Sequence, residues 1–381
     1  MLKLPAMGPS QELRRNYSVL SVLGVGFSLL NTWFGISAAL VTGINSGGPI
    51  LIVYGLILIA FISLCVGISL SELVSAYPNA GGQYFWASEL ASRRYANFAS
   101  YLTGWFAWAG SIFTCASVAI AVASGGVGCW QLAHPDFVIR PWHVFLAYQA
   151  VNIFAFFFNC YGRILPTMGH LTFWISLLSF FIIIVTVPSK APTRQEAKFV
   201  FATFVNNTGW KQNGIAFIVG LINPNWAFNG LDCAVHLSEE IHHPEKMIPL
   251  AILGTVAISF ITSWTYSIAL FFSMKDFDSL VDTATGVPIL ALFYQTIGNK
   301  AGAIALEALI IVTGIGGQIA SHTWQSRLCW SFARDGGIPF SSYFCKVDRR
   351  LNVPLRAHFM SCIMVAIVGC LYLGSYTAFN R

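Results

Sequence analysis

Apolar segments long enough to cross a lipid bilayer recur along the whole chain. A membrane-spanning helix needs about 20 predominantly apolar residues, and nine segments reach that length. Their apolar residues run continuously instead of alternating with polar ones, so they predict helices and not the strands of a membrane β-barrel. The nine predicted spans cover about residues 18–43, 49–75, 98–125, 142–160, 167–187, 213–238, 249–274, 301–326 and 356–375. The sequence therefore predicts an all-α integral membrane protein.

The composition agrees with residence in lipid, since 56% of the residues are hydrophobic and only 9% are charged. Soluble domains carry about 25% charged residues. The nine cysteines lie mostly inside apolar runs and form no C-x-x-C pair, which indicates buried thiols and no metal site. Lys and Arg are spread over the loops, so the net charge of +6 does not indicate a nucleic-acid partner. The sequence has no H-E-x-x-H, G-x-S-x-G or P-loop motif, and we expect neither an enzyme nor a cofactor.

The distribution of positive charge predicts the orientation. With the N-terminus inside, 13 of the 21 Lys and Arg residues fall on the cytosolic side and 8 on the other side. Cytosolic loops concentrate positive residues, so this bias predicts a cytosolic N-terminus. The loop at 188–212 is then extracellular, which suits its glycosylation motif at Asn206-Asn207-Thr208. We expect the plasma membrane, with a vacuolar or other internal membrane as the alternative.

The sixth predicted span contains residues that a membrane helix usually avoids. Pro224, Gly230 and Asp232 all lie within it. A helix in lipid can break only where its free backbone groups face protein or a water-filled cavity. An aspartate at the bilayer centre costs about 2.5–3.5 kcal/mol on insertion scales. These residues favour an unwound segment at a substrate site, and the alternative is a kinked packing helix whose Asp232 serves as a cap.

The first predicted span carries a matching interruption. Asn31-Thr32-Trp33-Phe34-Gly35-Ile36-Ser37 lies near its middle, and Asn225-Trp226-Ala227-Phe228-Asn229-Gly230 occupies the same place in the sixth. Paired interrupted helices in two halves of a chain point to an inverted-repeat transporter with its substrate at the breaks. The aromatic rings could also attract a cation. The candidate substrate-binding residues are Asn31, Thr32, Trp33, Phe34, Gly35, Ile36, Trp226, Phe228, Asn229, Gly230 and Asp232.

Other ionisable residues allow two interpretations each. Glu307 lies inside the eighth span and, with Asp232, is a candidate for proton or ion coupling; alternatively it reaches the outer surface or caps a neighbour. His236 and His322 could titrate near neutral pH, but a hydrogen-bonded packing role is favoured. A solvated inner loop is the favoured interpretation for Glu239, Glu240, His242, His243 and Glu245. We expect an inner charge cluster formed by Arg327, Arg334 and Asp335 with Arg93 or Arg94. Such a cluster could latch the inward gate.

Three motifs carry a resemblance to a known superfamily. They are SELVSAYPNAGGQYFWASELA (Ser71–Ala91), WAFNGLDCAVHLSEEIHHPEKMIP (Trp226–Pro249) and WQSRLCWSFARDGGIP (Trp324–Pro339). In order and spacing they resemble the permeases of the amino acid–polyamine–organocation superfamily, over essentially the whole chain. The chain is most similar to the fungal branch with choline, GABA and amino acid permeases, and closest to choline transport protein-like permeases.

The resemblance implies a bundle of two inverted five-helix repeats with a site between helices one and six and contributions from helices three and eight. It implies transport of small amines or amino acids, commonly coupled to protons. On matching positions it places the first break at Thr32–Ser37, an aromatic gate near Trp226 and Phe228, and an acid at Asp232.

The predicted domain organisation follows from this likeness. A short cytosolic tail (1–16) precedes the first five-helix repeat (17–187), the extracellular loop (188–212) and a second repeat (213–381) that holds four helices. Because a five-plus-five core needs a tenth helix, the chain is expected to be a truncated member. A symporter of choline, GABA or an amino acid is the leading functional hypothesis. A nutrient sensor on a permease fold and a non-transporting truncated product are the alternatives.

Overall fold

The computed structural model describes residues 13–281 and 283–374, and most of these residues are helical. Most of the predicted tail (1–16) and the last residue of the ninth predicted span lie outside the described residues. Val235–Glu240 forms a 3₁₀ helix. The α-helices are α1 (Val19–Leu29), α2 (Thr32–Ala38), α3 (Leu40–Ser46), α4 (Gly48–Ala76), α5 (Gln83–Leu90), α6 (Ala96–Ala133), α7 (Pro141–Asn159), α8 (Leu165–Lys190), α9 (Ala197–Ala202), α10 (Asn213–Gly220), α11 (Ile222–Ala227), α12 (Pro244–Ser273), α13 (Asp278–Val281), α14 (Pro288–Ile297), α15 (Lys300–Arg334), α16 (Ser341–Phe344) and α17 (Leu355–Gly374).

Eight helical segments within the described residues are long and apolar enough to span a membrane. They correspond to the first to fifth and the seventh to ninth predicted spans, with α1 and α2 together forming the first. The sixth predicted span differs, because α10, α11 and the 3₁₀ helix divide it into short pieces. The predicted all-α fold is confirmed, and the protein is an integral, multi-pass membrane protein.

Equivalent helices of the two halves pack against each other. Helix α4, the second span, lies along α12, the seventh, and α6, the third, lies along α15, the eighth. Helix α1 packs against α8, α12 and α15. In the first span, 83% of an 18-residue apolar stretch is buried, whereas in α7 only 22% of such a stretch is buried. The broken first span therefore lies at the centre of the bundle, and α7 faces the lipid.

The two ends of the bundle are defined here by Tyr17 and Gly47, which precede α1 and α4. At the Tyr17 end, Tyr17 forms a bridge with Ile241, just after the 3₁₀ helix. Ser18 caps α1, because its Oγ accepts from the Ser21 N–H at 3.2 Å and its own N–H donates to the Ser21 Oγ at 2.8 Å. At the Gly47 end, the predicted extracellular loop covers the first span through a hydrogen bond from the Val205 N–H to the Gly47 carbonyl at 3.3 Å.

Candidate functional site

The first span breaks between α1 and α2, at Leu30 and Asn31. The Leu30 carbonyl, which the helix no longer uses, accepts hydrogen bonds from the Thr32 Oγ1 at 3.0 Å and the Ser259 Oγ at 3.1 Å. Asn31 caps α2 by accepting from the Phe34 N–H at 3.3 Å. Side chains thus replace the hydrogen bonds that the backbone loses, as a break inside a membrane requires.

This position corrects the predicted break at Thr32–Ser37, because those residues are helical in α2. The glycine that suggested unwinding there serves for close packing instead. A Cβ atom at Gly35 would lie 2.7 Å from the Ala227 Cα, so the absence of a side chain lets α2 and α11 touch. The interruption was correctly predicted in the first span, but it precedes the predicted residues.

The sixth span unwinds after α11, over residues 228–234, before the 3₁₀ helix begins. Gly230 lies in this segment with a φ of 91°, a conformation that residues with side chains rarely adopt. A Cβ atom there would also lie 2.7 Å from the Leu29 Cδ2 at the end of α1. The two breaks therefore meet, and the unwound segment predicted for the sixth span is present in the structure.

A small cavity lies between the two breaks and α6. The empty space between its lining atoms amounts to about 270 Å³, and this includes space that is open to the surroundings. Trp226 is fixed by a hydrogen bond from its Nε1 to the Ser117 Oγ at 3.1 Å, and Asn229 by one from its Nδ2 to the Thr114 Oγ1 at 2.8 Å. The residues that line the cavity are Leu29, Asn31, Phe34, Gly35, Thr114, Val118, Trp226, Ala227 and Asn229. None of these nine side chains is charged, and two of them, Phe34 and Trp226, are aromatic with ring centroids 6.5 Å apart.

Five of the eleven predicted substrate residues line this cavity: Asn31, Phe34, Gly35, Trp226 and Asn229. Five others are not part of its lining: Thr32, Trp33, Ile36, Phe228 and Gly230. Trp33 is fully buried behind the first break, where its Nε1 donates to the Ser176 Oγ at 3.2 Å and its ring packs against Tyr266. Of the predicted aromatic gate, Trp226 faces the cavity and Phe228 packs in the core.

Asp232, the eleventh predicted residue, lies away from the cavity lining. Its Oδ2 accepts a hydrogen bond from the Gln83 Nε2 of α5 at 2.7 Å and lies 3.4 Å from the His236 Nε2. The His236 Nδ1 donates to the Ala80 carbonyl at 2.6 Å. Asp232 therefore ties the unwound segment to the Ser71–Ala91 motif, and His236 has the hydrogen-bonded packing role that was favoured.

Glu307 is buried in α15 with 2% of its surface exposed. Its Oε1 lies 2.9 Å from the position that a Cβ atom would take at Gly125 of α6. Its Oε2 has no hydrogen-bond partner among the described residues. The alternative that Glu307 reaches the outer surface is wrong, because the carboxyl group lies between helices.

Ion pairs join α15 to the 3₁₀ helix at the Tyr17 end. Arg327 and Glu240, each 1% exposed, lie 2.8 Å apart, and Arg334 pairs with Glu239 at 2.8 Å. Glu240 is thus a buried partner of Arg327 and not part of a solvated loop, which corrects that interpretation. The expected inner charge cluster forms only in part: the Arg334 Nε also lies 3.9 Å from the Asp335 Oδ1, but none of the ion pairs between described residues involves Arg93 or Arg94.

Tyr84 of α5 joins the same end. Its hydroxyl donates to the Asp335 Oδ2 at 2.9 Å and lies 2.7 Å from the Ser331 Oγ. Burial raises the pKa of the Asp335 carboxyl above its ordinary value, while the Tyr84 hydrogen bond and Arg334 act in the opposite direction. Helices α5 and α15 and the 3₁₀ helix are therefore held together on one side of the cavity.

Sequence reasoning missed four cavity residues: Leu29, Thr114, Val118 and Ala227. Thr114 and Val118 are one turn apart on α6 and share a face with Ser117. The only indication in the sequence was the pair of hydroxyl groups of Thr114 and Ser117 in an apolar helix. Many packing helices carry such a pair. The resemblance implied a contribution from the third helix without identifying its residues.

Comparisons with known proteins agree with this architecture. A choline transporter of Saccharomyces cerevisiae is 54% identical over 370 residues, which cover 97% of this chain and 66% of that protein. A 7-keto 8-aminopelargonic acid transporter of the same yeast is 35% identical over 418 residues, with 96% of this chain and 74% of that protein covered. The chain thus spans about two thirds to three quarters of these relatives' lengths.

A solved structure supports the fold independently. The structure of Mhp1, a nucleobase-cation-symport-1 family transporter, in a closed conformation with bromovinylhydantoin bound, superposes with a TM-score of 0.59 at 13% identity. The match covers 100% of this chain and 77% of Mhp1, and it establishes the inverted-repeat transporter fold. The sequence model of the amino acid permease family matches residues 17–381. The chain belongs to the amino acid permease family.

Proposed function

We propose that the protein carries a small amine or amino acid across the membrane by alternating access around its two broken helices, with choline as the favoured substrate. The observation that carries this proposal is the cavity between the breaks, whose lining contains two aromatic rings and no charged side chain. A site of this kind binds a ligand through ring faces and a few neutral polar groups.

Choline fits this lining better than an amino acid does. Its quaternary ammonium group donates no classical hydrogen bond and is attracted to ring faces by about 0.5–2 kcal/mol, which Phe34 and Trp226 can supply. Its hydroxyl group can bond to Asn229 or Thr114. A substrate carboxylate would need free N–H groups, but the Phe34 N–H at the start of α2 already donates to Asn31. The 54% identity to a choline transporter points the same way.

Alternating access requires that one end of the bundle closes while the other opens. We place the Tyr17 end in the cytosol, in agreement with the positive residues there. The pairs Arg327–Glu240 and Arg334–Glu239 then form the closed cytosolic gate. Substrate release to the cytosol requires α15 and the 3₁₀ helix to separate, which breaks both ion pairs.

Transport is proposed to be coupled to protons, with Glu307 as the acid that carries them. A carboxyl group buried between α6 and α15, with one oxygen lacking a described partner, is a natural proton acceptor in a membrane. Glu307→Gln keeps the shape of the side chain and removes the proton site. This variant should bind and exchange choline but lose accumulation driven by a pH gradient. Glu89→Gln, at an exposed position of α5, is the matched control.

Uptake of labelled choline into proteoliposomes tests the substrate assignment, with GABA and common amino acids as competitors. Phe34→Leu and Trp226→Leu should each raise the KM for choline at least tenfold, because each removes a ring face from the cavity. Phe228→Leu removes a ring of the same type from the core beside the cavity, and its KM should stay within twofold. The protein amount in the vesicles is measured for every variant.

Three outcomes would contradict parts of this proposal. Equal KM values for the three ring variants would remove the cavity from substrate recognition. Competition by an amino acid at lower concentration than choline would reassign the substrate. Choline binding without any uptake would favour the nutrient-sensor alternative.

A further inference from the structure

One face of α15 carries buried polar side chains that the cavity does not use. Gln318, His322 and Gln325 are spaced by four and three residues, so they follow one another along the same face of the helix. All three are fully buried. The Gln318 Nε2 lies 3.2 Å from both the Cys115 Sγ of α6 and the His322 Nε2. The His322 ring lies 5.4 Å from the ring of His358, a buried residue of α17. These four residues, Gln318, His322, Gln325 and His358, are called the polar file.

The polar file holds five buried atoms that have no hydrogen-bond partner among the described residues. They are the Gln318 Oε1, the His322 Nδ1, the Gln325 Oε1, the Gln325 Nε2 and the His358 Nδ1. A buried polar atom left without a partner costs about 1–3 kcal/mol, so five on adjacent side chains are expensive. Ordered water molecules are the usual partners of such atoms in protein interiors. The polar file therefore has the chemistry of a buried water site.

The ionisable groups around the polar file come from four elements. Arg327 of α15 acts electrostatically on His358 and is itself neutralised by Glu240 of the 3₁₀ helix. Cys115 of α6, Tyr148 of α7 and Cys362 of α17 form a group of thiols and a phenol beside Gln318. Thiols and phenols release protons only at alkaline pH. Among these side-chain types, the imidazole has the ordinary pKa that lies nearest to neutral pH.

The polar file connects the cavity wall to the Tyr17 end. Cys115, which contacts Gln318, follows the cavity residue Thr114. A Cβ atom at Gly314, one turn before Gln318, would lie 2.6 Å from the ring of Phe34, another cavity residue. At its other end the file reaches the turn of α15 that carries Arg327. Glu307 lies 11 residues before Gln318 on the same face, about 16 Å along the helix, beyond the level of Phe34.

We propose that the polar file is a hydrated proton-binding site in which His322 and His358 hold the proton that is released toward the Tyr17 end during transport. An imidazole nitrogen accepts a proton from a hydronium ion near the cavity wall, which becomes water, and later passes the proton to a water molecule toward Arg327, which leaves as hydronium. One proton enters and one leaves, and no other reactant is consumed. This inference rests on the proposed proton-coupled transport. It adds a second proton site to Glu307, and the two sites lie on opposite sides of the cavity along α15.

The test uses His322→Gln and His358→Gln, which keep hydrogen-bonding capacity but cannot bind a proton near neutral pH. His134→Gln, at the exposed far end of α6, is the matched control. Each protein is reconstituted into vesicles, and two quantities are measured. The first is exchange of labelled for unlabelled choline without a pH gradient. The second is choline accumulation, measured together with proton influx, when the outside is more acidic than the vesicle interior. An internal pH dye reports the proton influx.

Both file variants should exchange choline at rates within threefold of the unsubstituted protein, while gradient-driven accumulation and proton influx fall at least tenfold. If a folded His322→Gln or His358→Gln protein accumulates choline normally under the gradient, the inference is overturned. The unsubstituted protein separates the two proposals: exchange without gradient-driven accumulation in that protein refutes proton coupling itself. Accumulation that survives in both file variants but not in Glu307→Gln refutes the polar file alone.

Discussion

Gly35 of α2 and Ala227 of α11 approach each other so closely that a Cβ atom on Gly35 would lie 2.7 Å from the Ala227 Cα. Both residues line the cavity. The contact joins the halves of the two broken spans that lie toward the Gly47 end directly, backbone against backbone. Any movement that opens the cavity on one side has to preserve this contact or break it, so its geometry bears on both binding and transport.

Gly35→Leu should abolish uptake while the protein remains in the membrane. The larger side chain forces α2 and α11 apart and fills space beside Phe34, and overpacking of this kind costs about 1–3 kcal/mol. A Cβ atom at Gly110 of α6 would meet no other atom within 4 Å, so Gly110→Leu is the matched control and should transport normally. Uptake assays at equal protein amounts give the answer. Normal uptake by the Gly35 variant would show that the α2–α11 contact can relax without consequence.

Gly230→Ala should reduce uptake at least tenfold. Two effects combine there, since the residue has a φ of 91° and a Cβ atom would lie 2.7 Å from Leu29. Gly298 also has a positive φ, of 76°, but a Cβ atom there would meet nothing within 4 Å, so Gly298→Ala measures the conformational strain alone. Thermal stability and uptake are compared for both variants. Equal losses in the two would mean that strain, and not the meeting of the breaks, explains the effect.

The sequence predicted the elements of the fold better than the contacts of the site. Continuous apolar runs specified the spans, and Gly230 with its polar neighbours specified the sixth break, because such residues conflict with an uninterrupted membrane helix. The break predicted at Thr32–Ser37 was misplaced, since a glycine that permits close packing, such as Gly35, and one that permits unwinding look identical in a sequence. Glu240 was assigned to solvent because its neighbours are charged, while its partner Arg327 is 87 residues away. Pairings at that distance need the three-dimensional fold.

Arg327→Ala should lower the thermal stability strongly and leave the Tyr17 end open. Removal of one member of a fully buried ion pair costs about 3–5 kcal/mol, because the other charge stays buried without a partner. The double variant Arg327→Met/Glu240→Leu removes both charges and should recover most of the stability but not the uptake. Melting curves in detergent and uptake in vesicles separate these effects. A single variant as stable as the unsubstituted protein would contradict the buried pair.

The orientation can be tested with single cysteines at exposed positions of the two ends. Asn207→Cys lies in the loop at the Gly47 end, and Tyr343→Cys lies in α16 beyond α15. In intact cells a membrane-impermeant maleimide should label the first variant and not the second. Labelling of both from one side would contradict the arrangement of the nine predicted spans, and the reverse pattern would place the N-terminus outside.

Asp232→Asn should leave choline affinity and the rate of uptake unchanged. Asp232 lies outside the cavity lining, where its Oδ2 accepts from Gln83 and lies 3.4 Å from the His236 Nε2. The His236 Nδ1 donates to the Ala80 carbonyl oxygen, so the Nε2 is the ring atom that faces Asp232. An asparagine can accept from Gln83 through its Oδ1 and donate to the His236 Nε2 through its Nδ2, so it can satisfy both contacts.

Choline binding and uptake are measured for this variant and for His236→Gln, which changes the other member of the contact. A large loss of affinity in Asp232→Asn would mean that the carboxylate contacts the substrate, as the sequence suggested, after a rearrangement of the unwound segment. Unchanged affinity and rate identify Asp232 as a structural tie between that segment and α5, because an amide replaces such a tie without loss.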